Sequence, residues 1–102
     1  MHVIRYYYQM IISFANKETE IVFRGEFSSR FPPHIQNKAL NKLRILNNVN
    51  DLEQLRVPPS NRLHLLSGDR KGQYSISIND QWRICFQWKS NSPEQVEITD
   101  YH

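Results

Sequence analysis

Residues 63–88 read Leu63-His64-Leu65-Leu66-Ser67-Gly68-Asp69-Arg70-Lys71-Gly72-Gln73-Tyr74-Ser75-Ile76-Ser77-Ile78-Asn79-Asp80-Gln81-Trp82-Arg83-Ile84-Cys85-Phe86-Gln87-Trp88. Within this stretch, Tyr74–Ile78 alternates large and small side chains with period two, the pattern of a half-buried strand. Trp82–Trp88 alternates again. It puts Trp82, Ile84, Phe86 and Trp88 on one face and Arg83, Cys85 and Gln87 on the other. Asn79-Asp80-Gln81 lies between, and Asn and Asp favour turns. The stretch therefore predicts an antiparallel hairpin. Gly68 and Gly72 bracket Asp69-Arg70-Lys71, which predicts a tight, exposed basic loop with Asp69 as a turn former. Tyr74 and Trp82 read as core.

Outward from the hairpin, Arg62–Leu66 reads as a strand. Gln95–Tyr101 reads as the last strand, with Val96, Ile98 and Asp100 on one side and Glu97, Thr99 and Tyr101 on the other. Ser90-Asn91-Ser92-Pro93 is the turn before it. Upstream, Val57-Pro58-Pro59-Ser60-Asn61 must extend or turn, because Pro lacks a donor and fixes φ. Asp51–Leu55 has room for one helical turn. Pro32-Pro33 opens a helix in which Ile35, Ala39, Leu43 and Leu46 form an apolar stripe widened by Leu40; Asn47-Asn48 ends it. Lys17–Arg24 is a shorter helix stopped by Gly25. Ile11–Phe14 is a short first strand. The order β-α-α-β-β-β-β predicts an α+β fold, two N-terminal helices packed on a mainly antiparallel sheet.

One hundred and two residues make a single domain with a modest core. No apolar run approaches the roughly 20 residues of a membrane span. Met1–Gln9 lacks the apolar core and cleavage site of a signal peptide. One cysteine excludes an internal disulfide and fits a reducing, cytoplasmic compartment; mid-strand, Cys85 reads as an inert packing residue. No Cys or His pair has metal-ligand spacing, so neither metal nor cofactor is expected. The net charge is +3, unevenly spread. Arg56, Arg62, Arg70 and Lys71 face the lone carboxylate Asp69. Arg24, Arg30, Lys38, Lys42 and Arg44 face the lone carboxylate Glu26. This distribution fits RNA or an acidic protein inhibitor better than an acidic small molecule.

Metal-free RNA cleavage needs a base for the 2′-hydroxyl, a cation for the charged transition state and an acid for the leaving 5′-oxygen. Histidine suits both proton transfers and arginine suits the charge. His64 beside the basic loop, mid-strand Arg83 and the terminal His102 supply these residue types. Sequence leaves their convergence open.

The combination Leu63-His64-x-Leu66-x-Gly68-Asp69-Arg70, Tyr74-Ser75-Ile76, Trp82-Arg83-Ile84 and the terminal Asp100-Tyr101-His102 resembles the HigB toxins of the RelE/ParE superfamily. The resemblance covers roughly residues 10–102, leaving 1–9 as an N-terminal extension with no function assigned. It implies a RelE-like fold and a toxin of a type II toxin–antitoxin system that cleaves mRNA in the ribosomal A site. The attacking group would be the substrate's own 2′-hydroxyl, without metal or cofactor. It also implies a helix-turn-helix antitoxin of the HigA type, with operator DNA reached only through that antitoxin. Carried over, His64 and His102 are base and acid in unassigned order, and Arg83 clamps the scissile phosphate. Asp100 orients a neighbour or shares in proton transfer, and Tyr101 stacks a base or bonds near the phosphate. Arg62, Arg70 and Lys71 hold flanking RNA or ribosomal RNA. The sequence departs from the family where relatives carry Glu for His64, Arg for Ser77 and Lys for Ser67, which implies a weaker nuclease. Two other readings stay open: a gyrase-inhibiting toxin of the same fold, and an inactive RNA-binding relative.

Overall fold

The computed structural model describes residues 11–100. The Met1–Gln9 extension, Tyr101 and His102 therefore lie outside the described residues. Helix α1 spans Lys17–Phe23. Asn16 starts it by accepting a bond from the Thr19 backbone N–H at 2.9 Å, and Glu18 and Glu20 sit where the helix dipole favours acids. Gly25 stops it at φ +83, a conformation that suits glycine. The Gly25 N–H reaches the Val22 carbonyl and the Glu26 N–H reaches the Ile21 carbonyl, closing the last turn.

Helix α2 spans Pro33–Asn48, with proline in its first turn. Ile35, Ala39, Leu43 and Leu46 are buried as the stripe predicts. Burying a Leu or Ile side chain contributes about 1.5–3 kcal/mol. Gln36 is also buried, which apolar periodicity did not indicate. Its side chain bonds the Ser28 N–H, the Ser28 carbonyl and the Phe31 carbonyl, fixing the turn before the helix.

The sheet runs in the order β1 (His64–Leu65), β2 (Tyr74–Ser77), β3 (Trp82–Lys89), β4 (Ser92–Asp100), all neighbours antiparallel. Ile76, Ile84 and Ile98 stand opposite one another in adjacent strands. With Phe86 and Val96 they form the sheet's side of the core, facing the α2 stripe. Helix α1 is tied to the same sheet by the fully buried Thr19, whose hydroxyl accepts from the Ile98 N–H at 3.0 Å. Tyr74 and Trp82 pack against the core as expected.

Three expectations need correction. Ile11–Phe14 is no regular strand. It runs beside β4 with one parallel bridge, Phe14 to Val96. The reason lies in β4: Pro93 has no N–H to donate, and Gln95 turns to φ +54, giving its N–H to the Ser13 hydroxyl. The strand expected over Arg62–Leu66 shrinks to His64–Leu65 because Arg62 adopts a left-handed conformation, φ 48 and ψ 52. The last strand starts earlier than Gln95, at Ser92, because Ser90 and Asn91 alone form the turn, both at positive φ. The Val57–Asn61 segment turns, one of its two expected forms, with Pro59–Asn61 as a turn of 3₁₀ helix, and Leu52–Arg56 is the short helical stretch expected near Asp51–Leu55.

Candidate active site

Paired residues of an antiparallel sheet share a face. Opposite the core, one row across all four strands is His64, Ser75, Cys85 and Glu97. The next row is Ser77, Arg83 and Thr99. The Gly68–Arg70 turn stands beside these rows, between Gly68 at φ +66 and Gly72 at φ +92. His64 and Thr99 of these rows line an open cleft of about 310 Å³, with Leu66, Ser67, Asp69, Arg70 and Asp100.

The structure thus brings His64 and Arg70, near one another in sequence, together with the distant Asp100. His64 is exposed. Asp100 accepts a bond from the Gln81 side-chain amide at 3.1 Å. One terminal nitrogen of Arg70 donates to Glu97 and to Gln73, each at 3.1 Å. Partial burial works against the Arg70 charge. The bond to Glu97 and the surrounding charges outweigh it, and the guanidinium pKa lies above its ordinary value. Asp69 sits in the turn, as its residue type predicts, and also lines the cleft.

Arg83 is not among the residues that line the cleft; it is the cross-strand neighbour of Thr99, which is. It is 9% exposed. Its Nε donates to the Ser75 hydroxyl at 2.8 Å and a terminal nitrogen donates to the Arg62 carbonyl at 3.0 Å. A guanidinium fixed at two of its donors is pre-oriented in a way a lysine could not reproduce. The Arg62 side chain is not part of the cleft lining. It bonds Asp80 at 2.8 Å and lines a different depression. Lys71 is exposed and stands outside the lining. Of Arg62, Arg70 and Lys71, it is Arg70 that lines the cleft.

Glu97, Gln81 and Thr99 were not singled out from the sequence. The alternation of the last strand put Glu97 and Thr99 on the polar face, but nothing local named Arg70 or Asp100 as their neighbours. Among the described residues no three His, Cys, Asp or Glu side chains gather closely enough to hold a metal ion, and no helix is long and apolar enough to cross a membrane.

Cys85 lies in the row of His64, between Ser75 and Glu97, and is fully buried. Burial pushes its thiol pKa up, with smaller opposing pulls from Arg70 and Arg83. The reactive thiolate is therefore scarce. Iodoacetamide is expected to label Cys85 only after denaturant unfolds the chain. Rapid labelling of the folded protein, followed by mass spectrometry, would contradict this. With a raised folded pKa, stability held by the neutral thiol is present below the ordinary thiol range and is lost as pH rises toward the folded value.

A small α+β domain with an open, polar cleft holding a histidine, a fixed arginine and a carboxylate is built for an extended polar ligand rather than an enclosed apolar one. The chain belongs to the family of RelE-like toxins of type II toxin–antitoxin systems, HigB, which it matches over residues 7–102. It is similar to Toxin HigB-1 of Vibrio cholerae serotype O1, 38% identical over 80 residues, covering 78% of this chain and 84% of that protein. It is also similar to Endoribonuclease HigB of Proteus vulgaris, 29% identical over 93 residues, covering 91% of this chain and all of the relative. An uncharacterized protein of Haemophilus influenzae is 30% identical over 74 residues, covering 72% of this chain and 73% of that one. As a member of a type II family, the chain has an antitoxin as its partner.

Proposed function

We propose that this toxin is an endoribonuclease that cleaves mRNA on the ribosome. The observation that carries the reading is the cleft, where His64, Arg70 and Asp100 meet beside the buried Arg83. The whole-length similarity to Endoribonuclease HigB supports it. In the proposed reaction the 2′-oxygen attacks the adjacent phosphorus and the bond to the 5′-oxygen breaks. The 2′-hydroxyl proton passes to a base, and an acid protonates the leaving oxygen. The products are a 2′,3′-cyclic phosphate and a 5′-hydroxyl. His64 and the C-terminal His102 are the proposed base and acid, and no metal is required. Arg83 stabilises the charge that builds on the phosphate. Asp100, bonded to Gln81, orients the end of β4, so that Tyr101 can stack or bond beside the substrate. Arg70 and Lys71 hold flanking RNA. The antitoxin is of the helix-turn-helix HigA type, it carries the complex to operator DNA, and the toxin acts in the cytoplasm.

Induced expression with mapping of mRNA 5′ ends tests this. The wild-type chain is expected to arrest growth and create new ends inside translated codons. His64→Ala is expected to reduce those ends by about 10²–10⁴-fold, the usual contribution of acid–base catalysis. Arrest without new ends would refute the nuclease and favour a toxin acting by protein binding.

A further inference from the structure

The depression that takes Arg62 away from the cleft is itself a built feature. It measures about 300 Å³ and lies among the exposed side of α2, the Pro59–Asn61 turn and the β2–β3 hairpin end. Lys38, Lys42, Ser60, Arg62, Ser77 and Asp80 are among the residues that line it. Helix α2 holds Lys38, Lys42 and Arg44 and no carboxylate. Lys38 and Lys42 are one turn apart, a spacing at which like charges destabilise an isolated helix.

Two further details show these cations being held in place. The Lys42 ammonium donates to the Asn61 side-chain oxygen. Asn61 is fully buried and is anchored by donating to the Leu55 carbonyl at 3.1 Å and the Val57 carbonyl at 3.3 Å. Arg62 keeps a left-handed backbone, φ 48, which is uncommon outside glycine. Burial, and then Lys38, push the Lys42 pKa down. Asp80 is the carboxylate among the lining residues, and its bond to Arg62 is solvent-exposed, so it gives way readily to a competing anion.

We propose that this depression is a second phosphate subsite, binding the ribose-phosphate backbone of the RNA strand next to the cleft. The proposal rests on the nuclease reading. Continuity supports it: Arg62 stands two residues before His64, at most about 7 Å of chain, and its carbonyl is bonded by Arg83. Ser77 of the depression shares a face of β2 with Ser75, the cross-strand partner of the cleft residue His64. A protein partner is disfavoured. Among the described residues the exposed large apolar ones are Ile12, Phe27, Ile45, Val57 and Leu65, none of which lines the depression, and protein interfaces are anchored by such side chains.

The test is binding of a short 2′-O-methylated single-stranded RNA, which lacks the attacking hydroxyl, measured by anisotropy across a salt series. A Lys38→Gln, Lys42→Gln variant is expected to bind about tenfold more weakly. Its slope of log K against log salt should fall by about 0.7 for each phosphate that is no longer neutralised. Equal affinity and slope in variant and wild type would overturn the subsite. So would no binding by the wild type at low salt. Loss of antitoxin binding with RNA binding intact would also overturn it and give the surface to an acidic protein. Should the double variant fail to fold, Lys38→Gln alone alters an exposed side chain and must still lower the slope. A wild-type protein that fails to cleave unmodified mRNA on ribosomes, yet shows the slope difference, would refute the nuclease reading and leave the subsite standing.

Discussion

Arg83→Ala is expected to reduce mRNA cleavage by about 10²–10³-fold, the usual effect of removing a donor aimed at transition-state charge. It is also expected to cost about 2–3 kcal/mol of folding stability. The second effect follows from geometry. Arg83 is buried, and its departure leaves the Ser75 hydroxyl and the Arg62 carbonyl without a charged donor. Arg83→Lys keeps the charge but cannot supply both donors from a planar group, so it should rescue stability in part and cleavage poorly. Ser75→Ala removes the Nε partner alone and should show a smaller loss in each. The measurements are primer extension on programmed ribosomes and urea denaturation of the same preparations. An Arg83→Ala protein that unfolds early but cleaves at the wild-type rate while folded would reduce the guanidinium to a packing element. The phosphate would then have to be held elsewhere, with Arg70 the first residue to test.

Phe86→Ala is expected to destabilise the fold by about 3–5 kcal/mol, a large share of the roughly 5–15 kcal/mol typical of a domain. Phe86 is fully buried on β3, a central strand. Its ring stacks on Tyr74 at 6.1 Å and meets Trp88 edge-on at 6.4 Å. Truncation removes the transfer energy of the ring and leaves a cavity that two strand-bound aromatic neighbours can fill only in part. Phe27→Ala is the matched control. Phe27 is 64% exposed, and its removal should change stability by no more than about 0.5 kcal/mol. Equal losses at the two positions, by urea denaturation, would contradict the assignment of the core.

Local pattern carried most of the architecture. The alternation in Tyr74–Ile78 and Trp82–Trp88 gives the hairpin found as β2 and β3, with Ile84 and Phe86 inward and Arg83 and Cys85 on the opposite face. The stripe Ile35, Ala39, Leu43, Leu46 gives the buried side of α2. Both work because burial on one face imposes a period of two or about 3.6 that local sequence displays. Where backbone conformation broke the pattern, reading by propensity overran. Gln95 and Arg62 at positive φ shortened two expected strands, and no residue type at either position announces that geometry.

The candidate site was legible only in part. His64, Arg70 and Asp100 were named from their residue types and from family resemblance, and folding does bring them to one cleft. Arg62, grouped with Arg70 by proximity along the chain, is turned instead toward Asp80 and the lysines of α2. Glu97, unmarked in sequence, is the carboxylate bonded to Arg70 across a separation of 27 residues. Composition and periodicity were enough for the α+β class, the hairpin and its polar face. Which cations share a cleft, and which carboxylates hold them, depended on strand register and on the left-handed turn at Arg62. Those are long-range and backbone properties: a side chain's burial is written in its neighbours' spacing, whereas its partner is chosen by how distant segments dock.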